Sequence, residues 1–227
     1  GARGPGYSAS GVGIFNLEGG SVTVNGTSST AMRVGRAGAT GTLNISGGTW
    51  NTAGQFNIAA APAQSGMPST GRVNMSGTGL LSVSATFIND ATGSSAGDAL
   101  LSLTGSNTSV NAVSYVQNED GALLFTADDI GVSAIEVSST TDLEGTLDVD
   151  LSALTGTPGL LMLINNTGTN LVSGAFGNAP EGTMFGGYTL TYLYDSGDGV
   201  GNDVALLIPE PSTALLSLLG LAAIRRR

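Results

Sequence analysis

The chain contains no histidine, no cysteine and no lysine, and only 5% of its 227 residues are aromatic. Without histidine there is no imidazole base and no imidazole metal ligand. Without cysteine there is no thiol nucleophile, no disulfide and no thiolate zinc site. The missing lysine excludes Schiff-base chemistry and the lysine of a phosphate-binding loop. No familiar serine triad or dyad can be assembled from the remaining residue types, and the sequence predicts no cofactor.

Charge is scarce, at 11% of residues against about 25% in ordinary soluble domains. It is also unevenly distributed. Residues 1–118 hold three acids and four arginines, a net charge of +1, whereas residues 119–208 hold thirteen acids and no arginine. Residues 209–227 hold one acid and three arginines, a net charge of +2. We therefore divide the chain at these boundaries, and the total of −10 argues against a nucleic-acid partner.

What the chain does contain is a repeated motif, in which a glycine is followed by an asparagine between two apolar residues and then by a second glycine. The copies recur with a period of roughly 30 residues, as in stacked-repeat proteins. The fixed positions are Gly13, Asn16 and Gly19, then Gly41, Asn44 and Gly47, then Gly71, Asn74 and Gly77. A fourth, degraded copy at 100–106 follows 29 residues later; it keeps only apolar-Ser-apolar-x-Gly and has lost the first glycine and the asparagine.

Each copy of the motif predicts a short strand followed by a tight corner. Two apolar residues at a spacing of two point to one face of a strand, and the glycines that follow suit a corner with positive φ. Two further short apolar-alternating stretches follow in each unit. One unit cannot bury its own apolar face but stacked units can, so residues 1–118 are predicted to form a β-solenoid. The asparagines are either stacked in a ladder or simply tolerated on a polar face.

Residues 119–208 are predicted to be a β cap or the last coils of the solenoid. Residues 160–164 form a continuous apolar run, which predicts a fully buried strand. Residues 188–194 and 203–208 indicate a final hairpin. A cap is expected because an open solenoid end exposes strand edges and core.

The C-terminal segment, residues 209–227, combines three elements. Pro209, Glu210 and Pro211 are followed by an apolar stretch at 212–224, predicted to be a short helix, and by Arg225, Arg226 and Arg227. This order resembles the PEP-CTERM sorting signal of Gram-negative bacteria. The resemblance implies an exosortase-type membrane processing enzyme as partner, transient retention in the inner membrane through 212–224, and a membrane stop at the arginines. The chain does not begin with methionine, so we expect a fragment or mature form of a longer precursor.

The glycine-asparagine units resemble the passenger repeats of autotransporters, which implies a right-handed parallel β-helix. Together the two resemblances imply an exported structural or adhesin-like protein of the cell surface or extracellular matrix, without enzymatic activity and with exopolysaccharide as a possible partner. The alternative is a β-helix protein that binds or degrades polysaccharide. Aspartates grouped with Trp50 or tyrosines in one groove would favour that alternative.

Two sets of acidic residues are candidates for chemistry. Asp195, Asp198 and Asp203 lie in a glycine-rich loop that loosely resembles calcium-binding loops, although a hairpin turn explains the same composition. Paired carboxylates for glycoside hydrolysis are the other candidate, with solvated strand faces as the simpler interpretation. The acids concerned are Asp128, Asp129, Asp142, Glu144, Asp148 and Asp150.

Overall fold

A computed structural model describes residues 11–26, 32–60, 68–90 and 98–209. These residues form an all-β structure with a β-solenoid of about five turns and contain no helix. The strands in chain order are β1 (Val12–Leu17), β2 (Ser21–Val24), β3 (Met32–Arg36), β4 (Thr40–Ile45), β5 (Thr49–Thr52), β6 (Phe56–Ala60), β7 (Thr70–Met75), β8 (Leu80–Asn89), β9 (Asp98–Thr104), β10 (Ser109–Gln117), β11 (Gly121–Thr126), β12 (Ile135–Leu143), β13 (Thr146–Asp150), β14 (Leu160–Asn166), β15 (Ser173–Gly174), β16 (Met184–Phe185), β17 (Tyr188–Tyr194) and β18 (Asp203–Leu207).

The first sheet is built from the repeated motif. Its six strands are parallel and lie in the order β1-β4-β7-β9-β11-β13. The apolar residues of each copy alternate with polar ones, so that in β4 Leu43 and Ile45 are fully buried while Thr42 and Asn44 are half-buried. The equivalent residues of neighbouring coils are register partners, which stacks like on like along the solenoid.

The second sheet contains the remaining strands of each coil. Its parallel part runs β2-β5-β8-β10-β12-β14, and β3 pairs with β6, which also pairs with β8. The first two coils have three strands each, as the sequence predicts. In the next three coils the second and third strands merge into one bent strand, namely β8, β10 or β12. The register shifts at the bend, between Ala112 and Ser114, because a bulge lets the chain turn without breaking the strand.

The coils continue past residue 118 but become shorter. In the degraded fourth copy Ser102 is the register partner of Asn74 and Ala99 is that of Gly71, so this copy follows after 28 residues and not after the expected 29. Ser102 then pairs with Leu124, and Leu124 with Asp148, so less chain separates these coils than separates the first three. The loss of the asparagine and the shorter connections explain why the repeat fades in the sequence while the stacking of strands does not.

The core lies between the two sheets and includes a column of aromatic rings. Phe56, Phe87 and Tyr115 are register partners in successive coils, and each is fully buried. Neighbouring rings meet edge to face, with centroids 5.1 Å and 5.6 Å apart. This geometry is the preferred one for aromatic pairs, so the column adds to the stabilisation that burial alone provides.

The last strands of the described chain are antiparallel. β18 lies between β14 and β17, and β16 pairs with β17, so the hairpin expected from residues 188–194 and 203–208 is present. The expectation of a fully buried strand at residues 160–164 is wrong. Leu161, Leu163 and Ile164 are buried, but Leu160 and Met162 are half-buried because the outer face of the sheet remains open to solvent.

The C-terminal segment lies almost wholly outside the described residues. Only Pro209, which is exposed, is described; the predicted helix at 212–224 and the arginine cluster are not. Within the described ranges, no helix has the length and apolar character needed to span a membrane.

Candidate functional site

The motif asparagines form a ladder on the outer face of the first sheet. Nδ2 of Asn44 donates to Oδ1 of Asn16 at 2.7 Å, and Nδ2 of Asn74 donates to Oδ1 of Asn44 at 2.7 Å. Their register partner in the fourth coil is Ser102, where the chain has lost the amide. Of the two interpretations of the repeated asparagine, the ladder is the one present in the structure.

The first glycine of each motif copy stacks on its counterpart in the neighbouring coil. Gly13, Gly41 and Gly71 are register partners. A Cβ atom on Gly71 would lie 2.3 Å from the carbonyl oxygen of Val34 and 2.4 Å from the backbone nitrogen of Ala59. Gly19, Gly47 and Gly77 lie at the corners that follow β1, β4 and β7. A Cβ atom on Gly47 or Gly77 would likewise meet a backbone oxygen of the preceding coil, whereas no atom lies within 4 Å of the Cβ position of Gly19. Gly47, Gly71 and Gly77 are therefore required by packing between coils, and they supply no chemical group.

The aspartates suggested as calcium ligands accept hydrogen bonds from the backbone. Oδ1 of Asp195 accepts from the backbone nitrogens of Gly197 and Gly199 at 2.8 Å and 3.0 Å. These bonds hold the pKa of Asp195 below its usual value. The buried Asp203 accepts from Asn166 at 2.7 Å and Ser196 at 2.9 Å, with one oxygen each. Asp198 accepts from Val200 in a turn at 2.9 Å.

These bonds shape the loop between β17 and β18. Within the four described ranges, no group of three or more acidic residues lies close enough together to hold a metal ion. The three aspartates are therefore used as anchors for backbone nitrogens in this structure.

The acids suggested for glycoside hydrolysis stand on outward positions. Asp142, Glu144, Asp148 and Asp150 are all exposed and alternate with buried apolar residues. Trp50, the only tryptophan, is 3% exposed; its indole nitrogen donates to Thr52, and its ring meets that of Phe15 edge to face. The structure therefore brings no carboxylate together with Trp50 in an open groove among the described residues.

Asp128 is the most heavily hydrogen-bonded of these acids. Its Oδ2 accepts from the backbone nitrogen and the hydroxyl of Ser106, both at 2.7 Å. Its Oδ1 accepts from the backbone nitrogens of Ile130 and Gly131, both at 2.9 Å. The bond from the Ser106 hydroxyl is the largest of the causes that hold the pKa of Asp128 well below its usual value, followed by the backbone bonds. Asp128 thus ties the loop after β11 to the turn after β9.

A shallow groove of about 250 Å³ lies where β8, β10 and β12 bend. Its polar lining comes from Ser82, Asn111, Glu136, Ser138 and Thr167, and Val113 at the bulge is 41% exposed. The first three of these side chains are successive register partners on the outer face of the second sheet. Sequence reasoning missed this site because its residues belong to no motif and the bend that creates it has no signal in the sequence.

The groove belongs to a longer polar column on the second sheet. The register continues from Ser82 back to Asn51 and from Glu136 on to Asn165. Nδ2 of Asn165 donates to Oε2 of Glu136 at 2.7 Å, and the hydroxyl of Ser109 donates to Oδ1 of Asn111 at 3.0 Å. Each side chain of the column is half-buried, so its polar atoms are partly accessible from solvent.

A second cavity, of about 320 Å³, lies beside the C-terminal strands and is mostly apolar. Leu171 and Leu193 line it and are 65% and 70% exposed. Oε2 of Glu181 accepts from the backbone nitrogen of Tyr192 at 2.7 Å at this cavity, which ties the loop before β16 to β17.

Comparison of the chain with protein-family models, with curated proteins and with solved structures finds no match. Any function of the chain therefore rests on the β-solenoid itself and on the side chains of its two outer faces.

Proposed function

We propose that this chain is an exported structural protein of the surface or extracellular matrix of a Gram-negative bacterium. The stacking of like residues carries the structural part of the proposal. The asparagine ladder, the glycine contacts and the aromatic column all tie one coil to the next, which suits a rigid spacer or adhesive surface.

The finer features of the fold belong to the same proposal. The coils wind right-handedly, as in the autotransporter passengers that the repeat resembles. The antiparallel strands β16–β18 act as a cap, because they cover the edge of β14 that a further coil would otherwise occupy. The short apolar helix predicted from the sequence of 212–224 lies outside the described residues and stays a prediction.

The sorting part of the proposal rests on the C-terminal sequence. Pro209, Glu210 and Pro211 form the recognition motif for an exosortase-type enzyme, and Arg225, Arg226 and Arg227 hold the end of the chain at the cytoplasmic face of the inner membrane. Removal of the C-terminal segment would release the rest of the chain to the cell surface, where exopolysaccharide would surround it.

Measuring delivery to the cell surface tests this proposed sorting signal. An epitope-tagged chain is expressed in a Gram-negative host that carries an exosortase, and surface, periplasmic and membrane fractions are compared. We expect deletion of 209–227, or replacement of Pro209, Glu210 and Pro211 by alanine, to abolish normal surface delivery. Pro158→Ala, in a loop of the body, is the matched control and leaves delivery intact. Full surface delivery of the deleted chain would overturn the sorting proposal.

A structural role also implies that the chain does not cleave polysaccharide. The exposed acids of β12 and β13 then act only as a solvated, negatively charged face. Incubation with a panel of polysaccharides should release no new reducing ends. Release that is lost in Asp148→Asn or Asp150→Asn would instead support the degrading enzyme.

A further inference from the structure

We propose that the bent groove on the second sheet binds a neutral glycan chain that runs along the solenoid axis. The binding residues are Ser82, Asn111, Glu136 and Ser138, with Val113 as the apolar contact. A pure spacer needs no ligand, so this site goes beyond the structural and sorting roles argued above.

Unused hydrogen-bonding capacity points to a ligand rich in hydroxyl groups. Among the described residues, the Nδ2 of Asn111 and the Oε1 of Glu136 make no hydrogen bond to the protein, whereas Oδ1 of Asn111 accepts from Ser109 and Oε2 of Glu136 accepts from Asn165. The hydroxyls of Ser82 and Ser138 likewise have no protein partner within these residues. The groove thus offers an amide donor, a carboxylate acceptor and two hydroxyls, a mixture that sugar hydroxyls satisfy because each can donate and accept.

The charge of the groove selects a neutral ligand. Its only charged lining residue is Glu136, and residues 119–208 contain no arginine that would neutralise an anionic polymer. An acidic polysaccharide or a nucleic acid would meet repulsion here without any compensating cation.

The strand pairing excludes an added peptide strand in the groove. β10 is hydrogen-bonded to β8 on one side and β12 on the other, so β10 has no free backbone edge for strand addition. A ligand in the groove must therefore be recognised by side chains.

The spacing of the column favours a polymer over a single sugar. Neighbouring strands lie about 4.8 Å apart, so Ser82, Asn111 and Glu136 present polar groups at regular steps along the axis. Asn51 and Asn165 extend the series by one coil at each end. A polymer lying across the strands would meet a new side chain at every coil, and the bulge at Val113 supplies an apolar patch for a ring face.

The test is affinity electrophoresis of the full chain in native gels that contain a single soluble polysaccharide. Dextran, a mixed-linkage β-glucan and galactomannan are the neutral probes, and alginate is the anionic one. We expect at least one neutral probe to retard the wild-type chain and alginate to have no such effect. Glu136→Gln and Asn111→Ala should each weaken the apparent affinity about tenfold, because each removes a hydrogen bond made in a partly desolvated groove.

Matched controls separate this groove from the rest of the surface. Asp148→Asn and Thr42→Ala alter an acidic and a polar side chain on the outer face of the first sheet, and they should leave the retardation unchanged. Circular dichroism and thermal melting verify that every variant folds. No retardation by any neutral probe, retardation by alginate alone, or equal retardation of all four variants would overturn the proposal. None of these outcomes affects the sorting proposal, which is read out as surface delivery.

Discussion

Asn44 both donates to Asn16 and accepts from Asn74, at 2.7 Å in each case, so its side chain joins three successive coils. All three asparagines are register partners on the outer face of the first sheet. The backbone pairing of the parallel strands already sets the register of the coils, but the outer face lacks packing between coils because core side chains point the other way. The ladder therefore supplies a directional contact between coils where hydrophobic packing is absent.

Removal of the central rung should destabilise the solenoid. Asn44→Ala eliminates two side-chain hydrogen bonds on a half-exposed face, and we expect the free energy of unfolding to fall by about 1 to 2 kcal/mol. Urea denaturation followed by circular dichroism measures the change. Thr42→Ala, on the same face of the same strand but outside the ladder, should cost clearly less. Equal effects of the two substitutions would show that the ladder adds nothing to stability.

Gly71→Ala should be far more damaging than its size suggests. The new methyl group would lie 2.3 Å and 2.4 Å from backbone atoms of Val34 and Ala59, which cannot move as the end of a side chain can. We expect a loss of about 3 kcal/mol or more, at or above the upper end of ordinary overpacking costs. Gly19→Ala is the control because no atom lies within 4 Å of its Cβ position. If both variants melt alike, close packing between coils is not the reason for the glycine.

The motif positions made β1, β4 and β7 of the first sheet predictable from the sequence, whereas β11 and β13 carry no copy of the motif. Alternation around Asn16, Asn44 and Asn74 identifies the three strands, and the nearly constant spacing identifies their stacking. It also identifies the buried face of β4 and β7, but in β1, the first coil, Phe15 is 40% exposed. The hairpin of β17 and β18 was equally predictable, because two runs of alternating apolar and polar residues flank a loop rich in glycine and aspartate.

The bent strands and the polar groove could not be predicted in the same way. A bulge such as the one at Val113 depends on how three coils pack together, and no residue type in the sequence requires it. The burial of Gln117 could not be predicted from the sequence either, because a glutamine at the end of a strand is expected to face water. Its side chain is instead 1% exposed and donates to the carbonyl oxygens of Gly121, Glu144 and Thr146. That burial becomes favourable only once neighbouring coils bring the carbonyls to it.

Alkaline pH should weaken the C-terminal strands through Tyr192. Burial, the largest cause, raises the pKa of the Tyr192 hydroxyl to about 12, against about 10 in an unfolded chain. Because the folded state favours the neutral phenol, the stabilisation is complete below about pH 10 and is lost as pH rises toward about 12. Stability should therefore fall across this window.

Tyr192→Phe tests that assignment. The variant loses the hydroxyl bond to Ala179 and should be less stable at neutral pH, but its further loss on the alkaline side should be shallower than in the wild type. Denaturant midpoints at a series of pH values measure both effects. Phe125→Leu, a core substitution without a titratable group, should lower stability while keeping the wild-type alkaline slope. An unchanged slope in Tyr192→Phe would assign the alkaline loss to another group.

Asp128 should govern the acid side of the stability profile. Four donors, from Ser106, Ile130 and Gly131, hold its pKa well below the ordinary value of about 4. A depressed pKa means that the carboxylate stabilises the fold above about pH 4 and that this contribution is lost as pH falls further.

Asp128→Asn keeps the size of the side chain but leaves one acceptor oxygen for the four donors, so it should lower the melting temperature at neutral pH. Asp129→Asn changes the neighbouring, exposed carboxylate and should not. Protonation of Asp128 removes the extra stability that its carboxylate gives the wild type. The difference in melting temperature between the wild type and Asp128→Asn should therefore narrow in acid. A difference that stays constant with pH would show that these hydrogen bonds do not favour the charged carboxylate.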